Sequence, residues 1–462
     1  HVEKLIDTYP DKHVVVIEPD KRVFGHSLNI KCFEKIISKC QLWIDEDVNI
    51  VKAKVHELVT HPLARGIELL PYYLLYEEYC RELLMGCQKM LNDWAVMVNT
   101  KRCLVDKWYI NRVENAKKQS VNAKELIEKF KDIPGILVGA GPSLQGQIET
   151  LKKLQGKAVI IAASTAIEIL VSNNIEPTFM VAIDQDPITS GGLHENLKAD
   201  VPLIFDGQVA QNSLNYNGKK FQMLLNVNRY TNMVIPDLPM FESGPSVGNV
   251  VLDMLHKFGC NPILICGFDM SYTDGKLYCD GTKFNQDMSQ VQSMRMVNNK
   301  NETCTTEPSF LSMKHWFEEY VNRVKPCVFN CTERGLVIEG IENKSFDDFT
   351  FDKEYDLKKI INDCYKDFID VESIKKVNAE LAEDLNKMKE LLVGSKQLVP
   401  LNYFKSWPLV DEYSSTLIYL EEIRCEEKIK KGTAKEQAIK EFQDKRYNII
   451  LSNIDKLIEI LK

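Results

Sequence analysis

An apolar strand that runs through a glycine turn straight into a helix, at residues 136–144, constrains the fold more than any other stretch. Gly139 and Gly141 allow a tight turn and close approach of the backbone, and Pro142 suits the first position of a helix. Free N–H groups at a helix start attract phosphate. The stretch therefore predicts either a nucleotide or nucleotide-sugar site, or merely one tight strand-helix joint of an α/β core. The predicted buried stripe of the helix is Leu144, Ile148, Leu151 and Leu154.

Short apolar runs then alternate with helical segments through the middle of the chain. Residues 158–163, 179–183 and 262–269 are the clearest strands, and 203–205 and 221–225 add two more. Near-continuous apolar strands that alternate with helices are typical of a parallel sheet covered on both faces. We therefore expect an α/β protein with a central Rossmann-like, mostly parallel sheet.

The 462 residues are too many for one ordinary core, so we expect three domains. Residues 1–118 are predicted to form a smaller N-terminal α/β and helical domain, which begins with a strand at 12–17. Residues 119–348 are predicted to form the Rossmann-like domain that binds the donor and carries catalysis. Residues 349–462 are predicted to form a C-terminal helical domain, because charged amphipathic runs replace the apolar strands there.

Composition excludes several classes of function. The net charge of −8 and the pI of about 5.7 provide no basic field, so we expect no nucleic-acid partner. No apolar run approaches ~18 residues and no leader is recognisable, which predicts no membrane span and a cytoplasmic protein. The thirteen cysteines form no Cys-x-x-Cys pair, so we expect reduced thiols and no zinc site.

Four residues at or just beyond the ends of the predicted strands indicate where a ligand binds. Gly139, Ser164, Asp184 and Asp269 occupy these positions. Ligands of open α/β sheets bind outside the carboxyl ends of the strands, so these residues are expected to converge on one crevice. The polar loop at 271–281 follows; it is either a lid or donor clamp, or an ordinary surface turn.

The glycine turn does not have the sequence of a dinucleotide site. Leu144 stands where the third glycine of the fingerprint belongs, and the end of the next strand, at 162–165, offers no acid for a ribose. No Gly-Lys-Ser/Thr follows, which excludes a Walker loop. A nucleoside monophosphate that is bound through its sugar and phosphate, and later departs as a leaving group, is the remaining interpretation.

Several segments together resemble a known family, the motility-associated factor flagellin glycosyltransferases. The resemblance covers most of residues 12–345, whereas the C-terminal helices are similar only in kind. The Gly-Pro-Ser-Leu turn is also similar to a bacterial sialyltransferase family and to a 6-hydroxymethylpterin diphosphokinase family. The segments are 139–144, 158–165, Asp184, 244–248, 267–269 and 272–276, with 16–20, 61–62, 316–318 and 332–340.

The resemblance implies transfer of a nonulosonic acid, of the pseudaminic or legionaminic type, from a CMP-sugar to Ser or Thr of flagellin. It does not firmly imply any cofactor, although a divalent metal such as Mg²⁺ is compatible with it. Asp184, Gln185 and Asp186 could form a metal-binding Asp-x-Asp, but a satisfied acid at a strand end is commoner, so no metal ligand is assigned. Two alternatives stay open: a pterin diphosphokinase-like enzyme that uses Mg-ATP, and a non-catalytic protein that binds flagellin.

The resemblance also implies roles for individual residues. Asp269 is the first candidate for the general base and Asp184 the second. Tyr278 is assigned to the catalytic group as a hydrogen-bond donor to the leaving group, because tyrosine at its ordinary pKa is a poor base. The sialyltransferases that share the turn use a histidine base, and this chain has none between His256 and His315. The predicted donor-binding residues are Gly139, Gly141, Pro142, Ser143, Leu144, Ser164, Thr165, Ser243, Gly244, Ser246, Tyr272, Thr273 and Lys276.

Overall fold

A computed structural model describes residues 2–8, 14–28, 37–59, 76–185, 201–215, 217–282, 294–402, 404–430 and 432–462. The strands in chain order are β1 Val14–Glu18, β2 Cys40–Ile44, β3 Val121–Asn122, β4 Gly135–Val138, β5 Val159–Ala162, β6 Phe179–Ala182, β7 Leu203–Asp206, β8 Lys220–Met223, β9 Ile263–Cys266, β10 Met294–Val297, β11 Thr303–Thr306, β12 Val328–Asn330 and β13 Glu342–Asn343. The α-helices are α1 Val2–Thr8, α2 Lys21–Ser27, α3 Val48–Val59, α4 Glu77–Ala116, α5 Ile148–Leu154, α6 Ser164–Ser172, α7 Arg229–Val234, α8 Val247–Lys257, α9 Pro308–Val324, α10 Leu357–Cys364, α11 Val371–Ser395, α12 Trp407–Lys430 and α13 Lys435–Leu461.

The larger of two compact units contains a nine-stranded sheet in the order β13-β12-β9-β4-β5-β6-β7-β8-β3. Every neighbouring pair in it is parallel. From β4 the chain adds β5 to β8 on one side, then returns to place β9 on the other side of β4. The order of strands therefore reverses between β4 and β9, which makes this position the topological switch point, where open α/β sheets bind their ligands.

Alternating side chains of the central strands fill two apolar layers. Leu137, Ile161 and Ile265 lie in the layer beneath α8 and α9. Ile136 and Leu264 lie in the opposite layer, beneath α5 and α6. Every residue of β4, β5, β6, β7 and β9 is buried, which explains why these strands read as continuous apolar runs. The predicted α/β fold with a Rossmann-like parallel sheet is confirmed.

The C-terminal segment of the chain is helical, as predicted. In α11, apolar side chains at three- and four-residue spacing are buried. The larger unit comprises residues 106–395, 399–412 and 454–462. The division into three domains at 118 and 348 remains a prediction.

The smaller unit comprises residues 1–105, 396–398 and 413–453. Its strands β1 and β2 pair in parallel, with Val16 opposite Leu42. Trp43, Val51 and Leu83 belong to its buried apolar cluster. Among the helices that the structure describes in either unit, none has the length and apolar character needed to cross a membrane.

Candidate functional site

The glycine turn after β4 packs directly against the loop after β9. The Gly139 N–H donates to the Cys266 carbonyl at 2.8 Å, and the Gly141 N–H donates to the Gly267 carbonyl at the same distance. A Cβ added to Gly139 would lie 2.4 Å from Cδ2 of Phe268. The turn therefore needs glycine because two strand-end loops meet at the switch point with no room for a side chain.

Asp269 is a buried carboxylate at this junction, with 2% of its surface exposed. Its Oδ1 accepts a hydrogen bond from the Ser143 hydroxyl at 2.5 Å. Its Oδ2 accepts from the Ser143 N–H at 3.1 Å and from the Thr273 hydroxyl at 2.7 Å. A Cβ on Gly141 would lie 2.2 Å from Asp269 Oδ1, so this second glycine makes room for the carboxylate.

Burial raises the pKa of Asp269 to about 6, although the hydrogen bonds from Ser143 and Thr273 act in the opposite direction. A carboxyl with this pKa is mostly ionised at neutral pH and can still accept a proton. Such values are typical of groups that act in acid–base chemistry. Since the hydroxyls of Ser143 and Thr273 donate to its oxygens, they could relay a proton between Asp269 and a ligand.

The helix after the glycine turn begins differently from the expectation. Residues Pro142–Gln147 form a 3₁₀ helix, and α5 begins only at Ile148. The Leu144 N–H turns back to the Gly141 carbonyl at 3.0 Å, while the Ser143 N–H is bound to Asp269. Two of the N–H groups expected to face a phosphate are therefore engaged by the protein. Ser143 and Leu144 are buried, whereas Gly141 and Pro142 are half-buried.

The second small-residue turn leads into α8. Asn249 Oδ1 accepts from the Ser246 N–H at 3.0 Å, as in a capping box, and from the Ser246 hydroxyl at 2.8 Å. A Cβ on Gly244 would lie 2.4 Å from the Asn249 Cβ. Ser243 is exposed, and its carbonyl accepts from the Trp316 indole N–H at 3.1 Å.

Phe268 joins the two turns, a role that the sequence did not predict. A Cβ on Gly248 would lie 2.1 Å from the Phe268 Cζ, an even closer conflict than the one at Gly139. The ring also packs edge-on against Phe317, with 5.4 Å between centroids. The Phe268 N–H donates to the Thr332 hydroxyl at 3.1 Å. The only signal in the sequence was a glycine in each of two turns, which does not identify the ring they accommodate.

The 271–281 loop is tied to the same junction. The Cys279 N–H donates to the Ala140 carbonyl at 2.8 Å, which holds the loop against the glycine turn. Tyr272 is buried, and its hydroxyl donates to Glu307 at 2.5 Å. Burial and the Glu307 carboxylate raise the pKa of Tyr272 to about 12. The loop is therefore a packed part of the site and not a simple surface turn.

Tyr278 and Lys276 are the more accessible members of this loop. Tyr278 is half-buried, and burial followed by the charge of Glu307 raises its pKa above 10. It therefore keeps its proton at neutral pH and is able to donate a hydrogen bond. The Lys276 ammonium lies 2.8 Å from Asp280, which raises the pKa of the lysine.

The remaining predicted residues lie further along the carboxyl edge of the sheet. Asp184 follows β6 and is half-buried, and its carbonyl accepts from the Ala210 N–H at 3.0 Å. Because neighbouring strands lie about 4.8 Å apart, its strand is about 14 Å from the strand that leads to Asp269. The structure therefore does not bring the two candidate bases together. Thr165 is half-buried at the start of α6, while the Ser164 side chain and Asp186 lie outside the described part of the molecule.

The described residues contain no group of three or more His, Cys, Asp or Glu side chains that could hold a metal ion. Asp186, the second aspartate of the Asp-x-Asp, lies outside those residues.

Comparisons with known proteins give two findings. Residues 109–275 match the family described as 6-hydroxymethylpterin diphosphokinase MptE-like. The solved structure of the Maf glycosyltransferase from Magnetospirillum magneticum AMB-1 is similar, with a TM-score of 0.60 and 15% sequence identity over 97% of this chain and 74% of that one. The predicted resemblance is confirmed. At this identity the structural match establishes the fold, and no curated protein sequence matches the chain.

Proposed function

We propose that this protein is a flagellin O-glycosyltransferase that moves a nonulosonic acid from a CMP-sugar to Ser or Thr hydroxyls in the cytoplasm. The observation that carries the proposal is the convergence of Asp269, two glycine turns and the 271–281 loop at the switch point. The structural similarity to a Maf glycosyltransferase along 97% of the chain supports it.

The donor nucleotide is proposed to lie between the two turns. The turn at 139–144 would bound it on one side, and Ser243, Gly244 and Ser246 on the other. Ser164 and Thr165, at the start of the next helix, would contact the ribose or phosphate. Since Ser143 and Leu144 are buried, they would shape the floor of the site through Asp269 and the apolar core.

Negative charge grows on CMP as it leaves, and donors already aimed at the phosphate stabilise that charge. Tyr278 and Lys276 are the proposed donors, because one keeps its proton and the other its charge at neutral pH. The Tyr272 hydroxyl already donates to Glu307, so Tyr272 is proposed to position the loop.

In the proposed reaction the acceptor hydroxyl oxygen bonds to the anomeric carbon while the bond from that carbon to the phosphate oxygen breaks. CMP departs with the electron pair of the broken bond. The acceptor proton passes to the Thr273 hydroxyl, whose own proton moves to Asp269 along their 2.7 Å hydrogen bond. Asp269 is thus the proposed proton acceptor, with Asp184 as the second candidate.

A pterin diphosphokinase-like activity is the second candidate, because residues 109–275 match that family. It would bind Mg-ATP and release AMP. A non-catalytic flagellin-binding protein is the third, and it would need no nucleotide.

A thermal-denaturation series with CMP, CDP, UDP and ATP, each with and without Mg²⁺, separates these proposals. CMP should stabilise the protein by about 2.7 kcal/mol at a hundredfold excess over its Kd. Ser243→Ala should reduce the effect of CMP, whereas Ser452→Ala, at an exposed position of α13, should not. Stabilisation by Mg-ATP alone would support the diphosphokinase, and no response to any nucleotide would support the binding protein.

A further inference from the structure

The guanidinium of Arg112 is buried at the carboxyl end of β7, where the described residues provide it with no anionic partner. Arg112, on α4, has 7% of its surface exposed. Its Nη2 donates to the neutral Gln208 Oε1 at 3.0 Å, and its Nε has no hydrogen-bond partner. Within the described residues no carboxylate forms an ion pair with it. A buried charge without a counter-charge is costly, and a bound anion would offset that cost.

The loop around Arg112 is held in place by polar side chains of the same helix. The Asn111 amide donates to the Gln208 carbonyl at 2.9 Å. The Asn115 amide donates to the carbonyls of Gly207 and Val209 at 2.9 and 2.7 Å. These contacts fix the backbone that carries Gln208, so the site is formed before any ligand arrives.

Two further buried polar atoms, one on α4 and one in the 207–213 loop, have no hydrogen-bond partner among the described residues. They are Asn115 Oδ1 and the Ser213 hydroxyl, on residues that are at most 1% exposed. The nearby acids are engaged elsewhere. Asp206 accepts from the N–H groups of Gln208 and Leu225. Glu412, which with Arg112 influences the pKa of Tyr109, accepts from Asn228 and from the Arg229 N–H.

We propose that Arg112, with Gln208 and Ser213, binds a carboxylate of the substrate. A guanidinium presents paired N–H donors that match the two oxygens of a carboxylate. β7 lies three strands from β4, so the site is about 14 Å along the same edge from the glycine turn. The source of the carboxylate rests on the proposed function: we assign it to the nonulosonic acid, with an acidic side chain of the acceptor protein as the other source.

Binding of N-acetylneuraminic acid, its methyl ester, a Glu-containing peptide, inorganic phosphate and CMP to the full chain tests this inference. The wild type should bind the acid and not the ester. Arg112→Met should weaken binding of the acid by about 10- to 100-fold, as expected for loss of hydrogen bonds to a charged group. It should leave binding of CMP unchanged. Arg229→Met, at an exposed arginine, is the matched control.

Gln208→Glu provides a test that does not depend on removing Arg112. It places a carboxylate 3.0 Å from the guanidinium, so it should raise the melting temperature and abolish binding of the acid. Binding of the peptide but not of the sugar acid, with the same dependence on Arg112, would support the site and assign the carboxylate to the acceptor.

Unchanged binding of the acid in Arg112→Met and Gln208→Glu, binding of phosphate alone, or no binding of any carboxylate would overturn the inference. The proposed function alone would be contradicted if CMP did not bind while the acid still bound in a way that depends on Arg112.

Discussion

Replacement of Asp269 by asparagine should change how the stability of the protein depends on pH. The pKa of this carboxyl rises from 3.8 to about 6 on folding. The folded protein therefore retains a proton between pH 4 and 6 that the unfolded chain has lost. Stability contributed by this group is greatest below pH 4, falls as the pH rises to 6 and is constant above that. At about 1.4 kcal/mol for each pH unit, the loss is about 3 kcal/mol.

Asparagine does not titrate, so Asp269→Asn should lack this loss. The unfolding free energy of the variant minus that of the wild type should increase by about 3 kcal/mol between pH 3 and pH 7. Urea unfolding, repeated at intervals of half a pH unit, measures this difference. Amide hydrogen exchange in β4 and β9 then shows whether the difference arises in the sheet. A pH-independent difference in unfolding free energy is expected in addition. It arises because the asparagine side chain has one oxygen, whereas the two carboxylate oxygens accept from Ser143 and Thr273 separately. Asp352→Asn, at an exposed position, controls for loss of a carboxylate.

Parallel curves for the two proteins would refute the reasoning. A difference of the opposite sign would mean that the three hydrogen bonds to Asp269 outweigh its burial. The carboxyl would then be a permanently ionised group that holds Ser143 and Thr273 in place, and it could not accept a proton near neutral pH.

Further predictions concern the packing of the larger unit, each checked by urea unfolding. Gly248→Ala should cost about 1–3 kcal/mol or more, because the new Cβ would lie 2.1 Å from Phe268. Gly394→Ala in α11 meets nothing within 4 Å, so it should be neutral or stabilise by up to about 1 kcal/mol; equal effects of the two substitutions would contradict the steric argument. Tyr320→Phe should cost about 1.5–3 kcal/mol, since it removes the 2.7 Å hydrogen bond to buried Asp253, and a cost below 0.5 kcal/mol would contradict that assignment.

The strands of the sheet were predictable because the burial of each strand determines the residue types within that strand. A parallel strand covered on both faces must be apolar at every position, so β4, β5, β6 and β9 were visible as short apolar runs. The stripe from Leu144 to Leu154 was visible because a helix that buries one face repeats apolar residues at three- and four-residue spacing, and all four of its predicted members are buried.

The chemistry of the site depends on contacts that no local pattern encodes. Ser143 and Asp269 are 126 positions apart, and only the placement of β9 beside β4 brings them together. That contact draws the Ser143 N–H to a carboxylate, where the sequence alone suggested a bound phosphate. The glycines around Phe268 are explained in the same way, by a ring from a distant strand end.

The sequence also did not indicate that Arg112 is buried without a counter-charge from the part of the chain that the structure describes. Arg112 lies in a long helix whose other charged residues are mostly solvated, and nothing in its neighbours marks it as buried. Its environment is set by the loop at 207–213, about a hundred residues later.

Intact-mass measurement of flagellin tests the central proposal most directly. Flagellin would be co-expressed with a CMP-nonulosonate pathway and either the wild-type chain or Asp269→Asn, with folding checked by circular dichroism. The proposal predicts discrete nonulosonic acid masses on flagellin with the wild type and loss of most of them with the variant. Unmodified flagellin in the presence of folded wild-type protein and CMP-sugar would contradict it.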